Sequence, residues 1–227
     1  MSQFIELASA DGFKFPAYVA QPAVKPKGAI VVVQEIFGVN SHMRSVADGY
    51  AAQGYLAVAP ATFHRVQHGV DLGYAEADIK AGIALKAAVE ALPAPGVLQD
   101  LQAAVLYAAQ AGKVGMVGYC WGGLLAWRSA SLLTGLSAVV PYYGGGMTAQ
   151  AEARRVPRCP VMAHFGDQDH AISLDSVQAF KAAQPGVAVH IYPAQHGFNC
   201  DQRDAYNAEA AKLARERSLA FFAQHLA

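Results

Sequence analysis

The sequence predicts an α/β fold: a mostly parallel central sheet with helices on both faces. Three observations predict it. Short β-branched runs alternate with longer Ala/Leu-rich segments, as strands joined by crossover helices require. The run Gly28–Gln34 (GAIVVVQ) has no polar alternation, as expected of a strand covered on both faces. Polar residues able to do chemistry fall just past several strand runs, where open sheets of this kind collect their reactive groups.

The elements follow in order. Phe13–Ala20 reads as an early strand after an Asp11-Gly12 turn, and Gly28–Gln34 as the central one. Ser41–Gln53 is a helix with Asn40 or Ser41 as N-cap, and Tyr55–Ala59 is the next strand, ended by Pro60. The loop Thr62–Gly73 is the longest stretch with no periodicity and a candidate site rim or lid. Ala75–Glu90 and Val97–Gln110 read as helices separated by the breaker LPAPG. Lys113–Tyr119 (KVGMVGY) is a strand running almost directly into a helix from Trp121 to Ser131. Leu136–Pro141, Val161–Phe165 and Val187–Tyr192 are further strands, with helices over Ser173–Ala183 and Ala205–His225. No repeat or linker divides residues 1–227, so one domain is expected.

Composition narrows the function classes. The chain is 54% hydrophobic and 15% charged, which excludes a disordered protein. Seventeen basic residues balance seventeen acidic ones, so no global field recruits nucleic acid or a membrane surface. No apolar run approaches the roughly 20 residues that span a bilayer. The amino end, MSQFIELASADG, has no secretory-signal pattern. Cys120, Cys159 and Cys200 form neither a CxxC pair nor a disulfide framework, so a cytoplasmic protein is expected. The partner expected is a small molecule, with the chain as a monomer or small homo-oligomer.

Gly118-Tyr119-Cys120-Trp121-Gly122 has the form G-x-C-x-G between a strand and a helix: a nucleophile elbow with sulfur in place of oxygen. The bend exposes the nucleophile, and the helix N-terminus beside it favours thiolate. Downstream, FGDQD supplies two candidate acids, Asp167 and Asp169, and His196 lies in a loop after a strand. Nucleophile, acid and histidine thus appear in the order that a triad on this architecture uses. His164, Asp167, Asp169 and His170 also allow a metal reading, which the same loop's use as the acid loop argues against. His64 and His68 are read as loop residues. Glu35 ends the central strand and should be partly buried; either it accepts a bond from Cys120 or orients substrate, or it satisfies backbone N–H groups of its own turn.

QEIFGVN (Gln34–Asn40), VGYCWGG (Val117–Gly123), PYYGGG (Pro141–Gly146), HFGDQDH (His164–His170), HGF (His196–Phe198) and the tail Ala208–Phe222 together resemble the dienelactone hydrolase family, a cysteine-using branch of the α/β-hydrolase fold. The resemblance runs from about Phe13 to the carboxyl terminus. It implies Cys120 as nucleophile, His196 as base and Asp169, not Asp167, as its partner. It implies that Glu35 bonds the resting thiol and assists its deprotonation, and that the N–H groups of Ile36 and Trp121 form the oxyanion hole. The implied reaction is hydrolysis of an enol-lactone through an acyl-thioester, with no metal and no organic cofactor.

One departure bears on substrate. The family grips a substrate carboxylate with two arginines; this chain has Cys200 at one position and no arginine in the helix that carries the other. Arg65 and Arg203 are candidate substitutes, and Tyr143 and Phe198 further candidate substrate contacts. The function expected is therefore a cysteine hydrolase of a small carboxylic ester or lactone. The competing readings are a non-catalytic ligand-binding protein on the same fold and a thiol redox sensor.

Overall fold

A computed structural model describes residues 1–227. Its strands are β1 (Ser2–Ala8), β2 (Lys14–Ala20), β3 (Ala29–Val33), β4 (Leu56–Pro60), β5 (Val114–Tyr119), β6 (Leu136–Tyr142), β7 (Met162–Gly166) and β8 (Ala188–Tyr192). Its helices are α1 (Ser41–Ala52), α2 (Glu76–Glu90), α3 (Leu98–Ala108), α4 (Trp121–Leu132), α5 (Leu174–Ala183) and α6 (Ala208–Leu226). One eight-stranded sheet runs in the order β1-β2-β4-β3-β5-β6-β7-β8. The β1–β2 and β2–β4 pairs are antiparallel and the rest parallel.

The central strands β3, β4 and β5 are buried along their whole length, which is why they carry aliphatic runs with no polar alternation. β5 shows how both faces are covered. Gly115 faces Phe222 and Leu226 of α6, whereas Gly118, of opposite parity, faces Gly122 and Ala126 of α4. α1 joins α6 on its face, with the Tyr50 and Phe222 rings 6.0 Å apart and Arg215 donating to the Gly49 carbonyl at 2.9 Å.

From β3 the chain goes to β4 on one side and then to β5 on the other. Strand order therefore reverses about β3, and the crevice beyond the carboxyl ends of β3 and β5 is the place where such sheets bind ligands. Glu35 and Cys120 both stand there, each just past its strand. No helix is long and apolar enough to cross a membrane.

Two details differ from the sequence reading. β1 was not expected: it is an edge strand with only Leu7 buried, so it lacks an apolar stripe. α6 begins at Ala208 rather than Ala205, because the Asn207 side chain caps it by accepting from the Ala210 N–H at 3.0 Å. The N-cap of α1 is Asn40, whose side chain accepts from the Met43 N–H. The Thr62–Gly73 loop has neither helix nor strand, and is tied back by the Leu72 N–H donating to the Phe37 carbonyl at 2.9 Å.

Candidate active site

The bend at Cys120 is enforced by packing. Its φ of 55° and ψ of −119° place a non-glycine residue in a strained conformation, at the residue that caps α4. The glycines either side are required by close approach. A Cβ at Gly118 would run into the Gly122 carbonyl, and one at Gly122 into the carbonyls of Val33 and Gln34. The helix is thereby pressed against the end of β3, and the half-buried thiol stands at its positive end.

His196 and Asp169 come from the loops after β8 and β7. His196 Nδ1 lies 2.7 Å from Asp169 Oδ2. Asp169 Oδ1 accepts from the N–H groups of Ala171 at 2.8 Å and Ile172 at 3.1 Å, so the carboxylate is held from both sides and its side chain is 1% exposed. With Nδ1 committed, Nε2 is the ring atom left for the sulfur. Burial acts to lower the His196 pKa, but the charge of Cys120 and hydrogen bonds with Asp169 and Cys120 outweigh it and raise the group to about 10. The sulfur and the Asp169 carboxylate thus favour a proton on the imidazole, which suits His196 to take one from the thiol. Asp167 is exposed and is not part of this arrangement.

The backbone N–H groups of Ile36 and Trp121 donate to no protein acceptor. They flank the place where β3 and the N-terminus of α4 meet, which suits them to receive a developing oxyanion. α2 braces both. Gly82 packs so closely on the Ile36 carbonyl that a Cβ there would collide with it, and Glu90 accepts from the Trp121 indole N–H at 2.8 Å. Sequence reasoning did not mark Glu90, since nothing in an exposed-looking helix signals its target.

Glu35 is 1% exposed, and neither carboxylate oxygen has a hydrogen-bond partner. The reading in which it satisfies its own turn is overturned, and in this state it does not bond the Cys120 thiol. Its nearest cation is Arg203, with Nη1 3.7 Å from Oε1, too long for a hydrogen bond. Around it lie two groups that the sequence did not mark as a site, His42 and Tyr74, together with Cys200. His42 Nε2 and the Tyr143 hydroxyl are also buried without partners.

The candidate substrate contacts divide. Arg203 stands at the site, stacked over the rings of Phe37 and Tyr74. Arg65 does not: its guanidinium is bound by Asp100 at 2.7 Å and Asp11 at 2.9 Å, where it ties the β1–β2 turn to α3. Tyr143 and Phe198 are wholly buried, so they pack around His196 instead of lining open space; the Tyr143 ring meets the imidazole edge-on at 5.1 Å. Trp121 is likewise buried and stacks on Phe63 at 5.1 Å. The metal reading of the His164–His170 stretch fails because both ring nitrogens of His164 are bonded, to Tyr192 and Ser218.

Residues 15–226 match the dienelactone hydrolase family. The carboxymethylenebutenolidase of Pseudomonas putida is 37% identical over 232 residues, covering 98% of this chain and 97% of its own. A provisionally named carboxymethylenebutenolidase of Synechocystis sp. is 36% identical, covering 92% of this chain and 91% of its own. The crystal structure of a provisionally named dienelactone hydrolase from Klebsiella pneumoniae subsp. pneumoniae superposes with a TM-score of 0.83 at 32% identity, covering 99% of this chain and 98% of that one.

Proposed function

The chain belongs to the dienelactone hydrolase family, and from that premise we propose that it cleaves a small carboxylic ester or lactone through an acyl-thioester on Cys120. It is an ester- or lactone-cleaving hydrolase; the residue roles are our reading of the geometry. The observation that carries them is the Asp169–His196 pair, 2.7 Å apart, with Cys120 close enough to raise the imidazole pKa.

In the first step the Cys120 proton passes to His196 Nε2, and Sγ bonds to the carbonyl carbon. The carbonyl oxygen takes the negative charge, received by the free N–H groups of Ile36 and Trp121. Collapse breaks the carbon–oxygen bond, and the leaving oxygen takes the proton from His196; in a lactone it remains attached as the opened ring. A water, deprotonated by His196, then attacks the thioester and releases the acid and the thiol. We assign Glu35 to accepting a hydrogen bond from the thiol when the side chain turns toward it, before the proton passes to His196. What supports this is a buried carboxylate at the same strand end as Ile36 with no other hydrogen-bond partner.

Arg203 is the cation we place toward a substrate carboxylate, in preference to Arg65. We further propose a single domain over residues 1–227 that acts as a monomer or small homo-oligomer. We place it in the cytoplasm, where its three free cysteines would stay reduced.

The test is brief exposure to a panel of lactones and chromogenic esters, followed by acid quench and mass analysis of the peptide carrying Cys120. An acyl mass on that peptide, absent in Cys120→Ala, is expected. Turnover retained in Cys120→Ala overturns the assignment. Reversible oxidation of Cys120 with no turnover of any ester favours the redox reading instead.

A further inference from the structure

We propose that Glu35, His42 and Cys200 form a binding site for a zinc-class divalent metal ion behind Cys120, and that filling it switches the hydrolase off. The ligand atoms of these three residues all lie within 4.8 Å of one another, and all three residues are buried. They come from separate segments: the turn after β3, the first turn of α1 and the loop after His196. The fold has brought them together from distant parts of the chain.

The unpartnered atoms distinguish this cluster from an ordinary polar core. Both oxygens of Glu35 and Nε2 of His42 have no hydrogen-bond partner, although their side chains are 1% and 4% exposed. These are the atoms that a metal would use. His42 Nδ1 lies 3.2 Å from Asp201 Oδ1, so a carboxylate orients the imidazole and leaves Nε2 as the lone-pair atom. A carboxylate behind a histidine is the usual support of a histidine–metal bond. The Tyr74 hydroxyl, which accepts from the Asn40 side chain at 3.1 Å, lies close to Cys200.

The donor set selects the ion. One imidazole, one thiolate and one carboxylate suit zinc and disfavour calcium or magnesium, which take oxygen. Bonds of about 2.0–2.3 Å in a tetrahedral zinc centre put ligand atoms roughly 3.3–3.8 Å apart, so the cluster closes by about an ångström on binding. The fourth position is left to water. Cys200 releases its proton to solvent as the metal binds, and nothing is oxidised or reduced. Arg203 approaches one carboxylate oxygen of Glu35, and a single metal bond needs only the other. His42 also borders an open cleft that it lines with Asn199, Asp201 and Tyr206.

The inhibitory consequence rests on the proposed role of Glu35, because a carboxylate bound to metal no longer accepts a hydrogen bond from the thiol. The site itself stands apart from that role, and so does its test. Full-length protein, freed of metal with a chelator, is titrated with zinc and with cobalt(II). One equivalent is expected, with a thiolate-to-cobalt charge-transfer band, in both the unaltered protein and Cys120→Ser. The band should vanish in Cys200→Ser and in His42→Gln, and Asp201→Asn should weaken binding by about 10–100-fold. Zinc should inhibit ester turnover, reversibly by chelator, in the unaltered protein and not in His42→Gln, whose metal-free turnover is retained. Absence of the cobalt band overturns the site, as does a band lost in Cys120→Ser but kept in Cys200→Ser. Stoichiometric binding without inhibition overturns the switch. Two ligand variants on different segments keep the result readable if one fails to fold.

Discussion

Two buried polar regions of this molecule differ in how many of their groups are satisfied. Around His164 every proton has a place. The Ser218 hydroxyl donates to the Ala214 carbonyl at 2.8 Å and accepts from Tyr142 at 2.7 Å and from His164 Nε2 at 3.0 Å. His164 Nδ1 then accepts from the Tyr192 hydroxyl at 2.8 Å, and that oxygen accepts from Arg217 at 3.1 Å. Burial pushes the His164 pKa well below its ordinary value, so the ring is neutral and its tautomer fixed. Beyond the ends of β3 and β5, by contrast, both oxygens of Glu35, His42 Nε2 and the Tyr143 hydroxyl are buried with no partner. Each such group costs about 1–3 kcal/mol. A chain able to complete the first network has left the second open. The difference separates groups that hold the fold from groups kept for a proton, a substrate or an ion.

The strongest way to break that division is to remove one histidine from each region. His196→Ala should lower kcat by about 10⁴–10⁶-fold, the range seen when one member of a catalytic triad is lost. It should remain folded at neutral pH, so the loss is one of chemistry. His164→Ala should do the reverse. It strips partners from Tyr192 and Ser218 and opens a cavity, for a loss of about 3 kcal/mol in denaturant unfolding. Its turnover per folded molecule should be unchanged. A folded His164→Ala protein with turnover as low as that of His196→Ala would end the distinction.

The next effect in size belongs to Glu35. Glu35→Gln keeps the shape and removes the charge, so kcat should fall about 10²-fold. Stability should rise by about 1 kcal/mol, because a buried carboxylate with no hydrogen bond is replaced by a neutral amide. Loss of stability together with activity would mean that Glu35 holds the turn.

A pH experiment sharpens the same contrast. His196 titrates at about 10 because Cys120 and Asp169 favour its protonated form against burial. A group whose folded pKa exceeds its ordinary value of 6.5 contributes stability fully below that pH. The contribution is lost as pH rises through about 10. In Cys120→Ala the charge of the sulfur is gone, so the imidazole resonance should titrate lower and the stability loss between these limits should shrink. An unchanged His196 titration in Cys120→Ala would disconnect the pair.

Much of this was legible in the chain. β3 and β5 announce themselves because a strand buried on both faces must be apolar throughout, and the elbow glycines because a close approach of backbones admits no side chain. β1 was not legible, since an edge strand with one buried residue need not carry a pattern. Cys120, Asp169 and His196 follow from chain order and motif, and the structure brings them together. Arg65 and Arg203 could not be separated from sequence, because the partners that claim Arg65, Asp11 and Asp100, lie 54 and 35 residues away. His42 gave no signal either. A histidine in the first turn of a helix reads as a surface residue until the fold turns it inward against Asp201.

Tyr143 gives the smallest effect and the finest test of what an unpartnered group means. Its hydroxyl is buried without a partner, and its ring packs edge-on against His196 at 5.1 Å. Burial, followed by the nearby charges of Glu35, Cys200 and Cys120, holds its pKa well above the ordinary value, so it stays neutral and moves no proton near pH 7. Tyr143→Phe keeps every ring contact and removes only the orphan oxygen. It should raise stability by up to about 1 kcal/mol and change kcat by no more than about threefold, well under the change for Glu35→Gln. A loss of turnover as large as that of Glu35→Gln, at unchanged stability, would show that the hydroxyl finds its partner only in the reacting complex. Tyr143 would then join Glu35 among the groups held open for the reaction.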